Sequence, residues 1–368
     1  RRAAVTGPVG VGVIGAGMIS EQYLDNLTTF PDVTVHFVAD LDVARAASQA
    51  ERYGVPASGT VDELLARPEI EIVVNLTIPA AHVQVARSII ASGKHAFTEK
   101  PFSLDRETGR ALLADAAARG VRVATAPDTF LGPGLQTGKR LIEEGAIGTP
   151  LTALVLFQNA GPEAWHPNAD FYYAPGAGPL FDMGPYYLTA LVQNFGPVAR
   201  VSATGSTSRQ TRVIGSGPRA GEEFAVRVPT HVSALLEFED GGSAQCVFSF
   251  QSALRRTGFL EIAGTEGTIV FPDPNYFEGD LVVHTESSEP VTVHSVADAG
   301  RGTGVVELAR AIRAGVPERA SGAQAFHVVD IMESMLEAAD TGQWVTVEST
   351  VERAKSLPDG WDPREATL

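Results

Sequence analysis

Cysteine is nearly absent: Cys246 is the only one in 368 residues. An internal disulfide and a cysteine-built metal site are thereby excluded. No uninterrupted apolar run approaches the ~20 residues needed to cross a bilayer, so no membrane partner is expected. Positive charge is also scarce, with 28 Lys and Arg against 44 Asp and Glu and a net charge of −16. Sequence-independent nucleic-acid binding, which depends on Lys and Arg neutralising phosphates, is not expected of such a chain. At 44% hydrophobic and 20% charged residues, the composition is that of a folded protein, not a disordered one. The apolar stretch after Arg1 and Arg2 is broken by glycines and followed by no small-residue cleavage site, so it reads as a strand and not as a signal peptide. Roughly 100–200 residues per domain gives two domains. The expectation is an acidic, soluble, cytoplasmic two-domain protein.

The rhythm of the chain divides it near residue 127. Residues 9–14 read as a strand, 33–39 and 70–76 as strands nearly continuous in Val and Ile, and 95–98 and 121–124 as the last two of six. Helical spacing runs through 18–27, 80–91 and 106–118, with Gly93 and Gly120 placed as C-terminal stops. Continuous apolar strands alternating with helices predict a parallel sheet covered on both faces. Residues 1–127 are therefore expected to form a doubly wound α/β domain.

Residues 128–368 are expected to form a second, α+β domain with a mostly antiparallel sheet. Strands are read at 198–203, 231–238 and 244–250, the last two joined by the turn Glu239-Asp240-Gly241-Gly242. A second hairpin is read from 259–263 and 268–271, through Gly264 and Gly267. Residues 205–221, rich in Gly, Ser, Thr and Arg, read as a long exposed loop, and 323–339 as an amphipathic helix.

The first strand runs into Gly15-Ala16-Gly17-Met18-Ile19-Ser20, a glycine fingerprint with Ser20 in the third glycine position. Gly15 permits the tight turn, and Gly17 lets the backbone approach a pyrophosphate held at a helix N-terminus. The context of strand before, helix after and Asp40 ending the second strand gives the pattern its weight. Asp40 would accept hydrogen bonds from an adenosine ribose and repel a 2′-phosphate, which favours NAD over NADP. Leu41 follows where a phosphate-binding Arg would help, and Arg45 lies a turn into the next helix. The structural alternative makes Asp40 the N-cap of that helix, with Asp42 competing for the role.

The fifth strand ends in Glu99-Lys100-Pro101. Together with the fingerprint and with Thr77-Ile78-Pro79-Ala80-Ala81-His82, this resembles the Gfo/Idh/MocA oxidoreductase family. The resemblance extends over the whole chain and is strongest through residue 101. It implies a Rossmann dinucleotide-binding domain, a C-terminal domain whose open sheet covers the cofactor, and a homo-oligomer, dimer or tetramer. It also implies cofactor contacts from Gly15, Gly17, Met18, Ile19, Asp40, Thr77, Ile78, Pro79, His82, Glu99 and Lys100, and a catalytic Lys100. The physical case for Lys100 is its place outside the carboxyl end of a strand, where ligands of open α/β sheets bind. A partly desolvated lysine there exchanges a proton with a hydroxyl. The alternative is a solvated strand-end lysine.

The family's second element, Asp-x-Gly-x-His, is matched by Asp182-Met183-Gly184-Pro185-Tyr186, with tyrosine where histidine is usual. Four residues apart on a helix, Asp182 and Tyr186 share a face. A phenol is a poorer base than an imidazole at neutral pH, so Tyr186 is assigned to hydrogen bonding or acid catalysis and base duty to Lys100. Alternatively, Asp182 is an N-cap with Pro185 in the first turn. In the altered loop after the sixth strand, Asp128 is read as facing the substrate. Trp165 and His166, near Tyr172 and Tyr173, offer aromatic faces and polar partners that suit a sugar, or else simply pack a long loop. No metal-ligand spacing is found. The sequence therefore reads as an NAD-dependent dehydrogenase of a secondary alcohol on a sugar, cyclitol or related polyol. An NAD-dependent glycoside hydrolase and a non-enzymatic nucleotide-binding protein are the alternatives.

Overall fold

The computed structural model describes residues 6–286, 288–297 and 300–368; the first residues of the stretch after Arg1 and Arg2, as far as residue 5, lie outside these. Six parallel strands form one sheet: β1 (Val9–Ile14), β2 (Val33–Ala39), β3 (Ser58–Gly59), β4 (Ile72–Asn75), β5 (His95–Thr98) and β6 (Val123–Thr125). Between them run α1 (Met18–Leu27), α2 (Val43–Tyr53), α3 (Val61–Leu65), α4 (His82–Ala91) and α5 (Arg106–Arg119). The strand order is β3-β2-β1-β4-β5-β6. It winds outward from β1 in both directions, so a crevice opens at the carboxyl ends of β1 and β4. β1 and β4 are buried along their whole length, as expected of strands covered on both faces. The stretch read at 80–91 divides into a short 3₁₀ turn, Pro79–Ala81, and α4. At the end of α5, Gly120 adopts the left-handed conformation and closes the helix.

The remaining elements are α6 (Pro133–Glu143), β7 (Pro150–Gln158), α7 (Gly178–Phe195), β8 (Val198–Ser206), β9 (Thr211–Val213), β10 (Glu223–Ala225), β11 (His231–Phe238) and β12 (Ser243–Ser249). They continue through β13 (Arg256–Gly264), β14 (Gly267–Val270), β15 (Leu281–Thr285), β16 (Ser288–Val293), α8 (Thr303–Ala314), α9 (Gly322–Thr341) and β17 (Val345–Thr346). Nine of these strands form a sheet ordered β16-β15-β14-β13-β7-β12-β11-β8-β17. Every neighbouring pair is antiparallel except β7 and β12. Helix α7 packs against β7, β11 and β12 and is almost entirely buried.

Two compact units result. One comprises residues up to Gly132 with Ala297–Phe326 and Lys355–Leu368; the other comprises Pro133–Val296 and His327–Ala354. The late segments of the first unit complete its core. Val305, Val306, Leu308 and Ala309 of α8 join the apolar cluster built on β1, β4 and α1. Arg313 pairs with Glu71 at 2.6 Å, and Arg310 with the buried Asp32 at 2.7 Å. In the second unit, residues 205–221 are mostly exposed, as their composition predicts, but they are not all loop. β9 pairs with β10, and Arg212 and Ile214 are buried. Among the described residues, no helix is long and apolar enough to cross a membrane.

Candidate functional site

The dinucleotide end is built from the turn after β1. Gly15 sits at φ +103°, and a Cβ there would lie 2.7 Å from the carbonyl oxygen of Leu76, so only glycine permits this turn. Gly17 is the N-cap of α1 and offers no side chain to its first amides. A Cβ on Gly17 would project into open space, and Met18 beside it is 82% exposed. Those amides and the helix dipole form an open cradle for an anion. Ser20 is buried and donates its hydroxyl to the Gly17 carbonyl at 2.6 Å, filling the third glycine position without spreading the turn. Ile19 packs partly buried against the core.

Asp40 follows β2 and fastens this turn. Its Oδ2 accepts the Ala16 N–H at 2.7 Å; its Oδ1 accepts the Asp42 N–H at 2.9 Å and the Arg45 guanidinium at 2.7 Å. Burial pushes the Asp40 carboxyl up. The bonds from Arg45, Ala16 and Asp42 outweigh it and hold the group below the usual carboxylate range. The N-cap of α2 is Asp42, which accepts the N–H groups of Ala44 and Arg45, so the capping alternative for Asp40 falls. Arg45, set aside by its distance in sequence, returns to the site because capping at Asp42 starts the helix early enough to fold its side chain back.

Along the crevice, Thr77 donates its hydroxyl to Asn75 at 2.7 Å. Ile78 is exposed and Pro79 half-buried. His82 is a buried strut: its Nδ1 lies 2.9 Å from the Pro101 carbonyl and its Nε2 2.9 Å from that of Thr77. Burial lowers its pKa against the pull of those two carbonyls. A neutral ring donates to only one of them. His82 thus ties the loop after β4 to the Glu-Lys-Pro segment, a reach that no local pattern reveals.

After β5, Lys100 is half-buried, and its N–H donates to Glu99 Oε2 at 2.9 Å. The other carboxylate oxygen of Glu99 accepts the Tyr23 hydroxyl at 2.8 Å and lies 3.9 Å from Arg301. Burial raises the Tyr23 pKa, and Glu99 adds to the effect. Asp128 does not fit the reading that it faces substrate. It is 0% exposed, and its Oδ2 accepts the N–H groups of Gly302 and Gly304 at 2.9 and 3.0 Å, at the N-terminus of α8. Burial raises its carboxyl to about 6, against the opposing pull of Arg301 and of those two amides. Tyr23 and Arg301 escaped the sequence reading: one is an inward residue of α1, the other comes from a segment far along the chain.

In the second unit, α7 begins at Gly178, with Ala177 as its N-cap and Pro179 in its first turn. Asp182 therefore stands in the second turn and is not a cap, and Pro185 lies inside the helix. The Gly178-Pro179 pair is a start signal of the kind that places proline at the first helical positions. Asp182 and Tyr186 lie one turn apart, the first half-buried and the second buried. Trp165, 65% exposed, meets the His166 ring edge-on at 5.5 Å. His166 also contacts the rings of Phe171 and Tyr172 at 5.4 and 5.1 Å. Burial lowers the His166 pKa, while the charges of Asp182 and Asp170 act the other way. The aromatic loop and α7 are thus electrostatic neighbours.

Residues 9–126 match the family model described as an oxidoreductase family with an NAD-binding Rossmann fold. Residues 135–270 match that of the GFO/IDH/MocA C-terminal domain. The chain belongs to the GFO/IDH/MocA oxidoreductase family. A relative, trans-1,2-dihydrobenzene-1,2-diol dehydrogenase from Oryctolagus cuniculus, is 26% identical over 280 residues, 75% of this chain and 79% of that one. An uncharacterized oxidoreductase from Rhizobium meliloti is 28% identical over 348 residues, 91% of this chain and 98% of that one. The solved structure of levoglucosan dehydrogenase in complex with NADH and L-sorbose is 22% identical. It aligns with a TM-score of 0.81 over 94% of this chain and 100% of that one, a likeness of fold.

The first unit of this GFO/IDH/MocA oxidoreductase fits the NAD that its family binds. The uncapped α1 N-terminus suits a pyrophosphate, the space beside Gly17 leaves room for it, and the Asp40 carboxylate stands at the end of β2 where a ribose is recognised.

Proposed function

We propose that the protein is an NAD-dependent dehydrogenase of a secondary alcohol on a sugar, cyclitol or related polyol. The observation that carries this reading is the alignment along one parallel sheet of an uncapped, glycine-opened helix N-terminus and the Glu99-Lys100-Pro101 segment after β5. Both stand at the carboxyl ends of strands of that sheet, the side on which ligands of open α/β sheets bind. Bound NAD supplies the hydride acceptor. Lys100 takes the hydroxyl proton of the substrate, and the hydrogen bonds of Glu99 to Tyr23 and to the Lys100 backbone hold its segment in place. The family resemblance assigns Asp182 and Tyr186 of the second unit to orienting substrate hydroxyls, with Tyr186 as donor. Trp165 gives its face to the C–H side of the ring, and His166 a polar edge. The names of a diol dehydrogenase and a levoglucosan dehydrogenase among the similar proteins support a vicinal-hydroxyl substrate.

The test is turnover with NAD on a panel of D-glucose, levoglucosan, L-sorbose and myo-inositol, followed at the nicotinamide absorbance. Lys100→Met is expected to keep NAD affinity within a few-fold and to lose about 10²–10⁴ in rate, the usual effect of removing a positioned acid–base group. Near-normal turnover by that variant reduces Lys100 to an ordinary strand-end lysine, and no turnover on any panel member overturns the polyol reading. Aglycone release from an aryl glycoside without net NADH would identify the glycosidase instead.

A further inference from the structure

We propose that the excursion between β8 and β11 is a brace that holds the aromatic loop, residues 159–177, in its substrate-ready shape, with Arg212 and Arg219 as positioning residues. This rests on the reading above that the loop's aromatic face meets a sugar or polyol. The loop has little regular structure of its own, a single 3₁₀ turn at Ala169–Tyr173. Its order comes from the excursion. The Arg212 guanidinium pairs with the Glu163 carboxylate, whose other oxygen accepts the Tyr173 hydroxyl. Arg212 also donates to the carbonyls of Ala160 and Phe250, each at 2.8 Å, and lies 5.0 Å from the Tyr173 ring centre. Its side chain is 4% exposed.

Backbone bonds continue the attachment on both sides of this buried pair. Gly215 N–H donates to the Glu163 carbonyl at 2.7 Å, and Arg227 N–H to that of Tyr173 at 2.9 Å. At the rim, the Arg219 guanidinium straddles the Asp170 carboxylate at 3.0 and 3.4 Å. Gly161, at φ +102°, lets the chain pass directly over the Glu163–Tyr173–Arg212 cluster, where a Cβ would collide with all three side chains. The inner residues of the loop are thus spent on the brace, while Trp165 and Phe171 remain exposed around His166. A binding face fixed before the ligand arrives loses less freedom on binding, so the brace acts on affinity and not on the chemical step.

The experiment uses the full chain. Arg219→Gln removes the rim pair, and Arg212→Lys keeps the buried charge but lacks the planar fork that serves a carboxylate and two carbonyls together. Hydrogen exchange of residues 160–175 is read beside steady-state kinetics on whichever panel polyol turns over fastest. Both variants are expected to exchange several-fold faster in that segment and to raise KM about five- to tenfold. Their kcat and NAD affinity stay within twofold, and Arg219→Gln keeps the wild-type thermal midpoint. Unchanged exchange in both variants overturns the brace, as does a loss confined to kcat. Trp165→Ala is read separately: an unchanged KM there overturns the substrate reading on which the brace's purpose depends, whereas unchanged exchange in the arginine variants leaves that reading standing.

Discussion

Asp40 already carries three hydrogen bonds at the rim of the dinucleotide cradle, one of them from an arginine whose side chain is 53% exposed. Two opposing influences on the adenosine ribose therefore share one carboxylate. Asp40 disfavours a 2′-phosphate, since like charges ~4 Å apart repel by roughly 1–4 kcal/mol between the dielectrics of water and protein surface. Arg45 would attract it. We expect NAD to bind more tightly than NADP, Asp40→Ala to narrow the gap and Arg45→Ala to widen it. Fluorescence titration of both cofactors into the three proteins checks this. Tighter NADP binding by the unsubstituted protein would show that Arg45, and not Asp40, governs the rim.

At the scale of elements, the cap of α2 separates stability from chemistry. Asp42 satisfies the amides of Ala44 and Arg45, and an N-cap of this type contributes about 0.5–2 kcal/mol. Asp42→Ala is expected to lower the free energy of urea unfolding by that amount while leaving kcat within twofold. A change in the NAD-to-NADP ratio in the same variant would show that the cap also fixes where Arg45 points. Helix α7 illustrates the opposite balance. Pro185 has no N–H to give to the preceding turn, yet the helix runs on to Phe195. Burial against β7, β11 and β12 sustains it past the break.

Two buried groups, one in each unit, make the stability of the whole molecule respond to acid in opposite senses. Asp128 in the first unit is raised from 3.8 to about 6, chiefly by burial. The folded state therefore holds its proton more tightly, and the stability it contributes below pH 3.8 is lost as pH rises through 6. His327 in the second unit is lowered from 6.5 to about 4, again chiefly by burial. Its Nε2 accepts the Val198 N–H at 3.0 Å, and its Nδ1 lies 2.9 Å from the Ser349 hydroxyl. Its contribution is present above pH 6.5 and is lost as pH falls through 4. Each amounts to about 3 kcal/mol, so across pH 4–6.5 they nearly cancel. Asp128→Asn is expected to become steeply less stable as the medium is acidified, and His327→Gln to become more stable. Urea midpoints from pH 4 to 7 decide the matter; parallel curves for the three proteins would contradict it.

The architecture of the first unit is legible wherever local pattern suffices. β1, α1, β2 and β5 fall where short apolar runs and the glycine fingerprint place them, because backbone sterics and burial of both sheet faces act on neighbours in sequence. The Glu-Lys-Pro segment is legible for the same reason: it ends a strand whose position is already known. Tertiary structure alone decided what depends on partners far along the chain. It brought α8 onto the sheet, buried Asp128 against the α8 N-terminus, and joined Glu99 to Tyr23 and Arg301. It also drew β9 and the buried Arg212 out of a Gly-, Ser- and Arg-rich stretch, since the partners of Arg212 lie about 40 to 50 residues away on either side. A short polar strand has no periodicity to announce it; only the carboxylate and carbonyls it meets make its arginine a core residue.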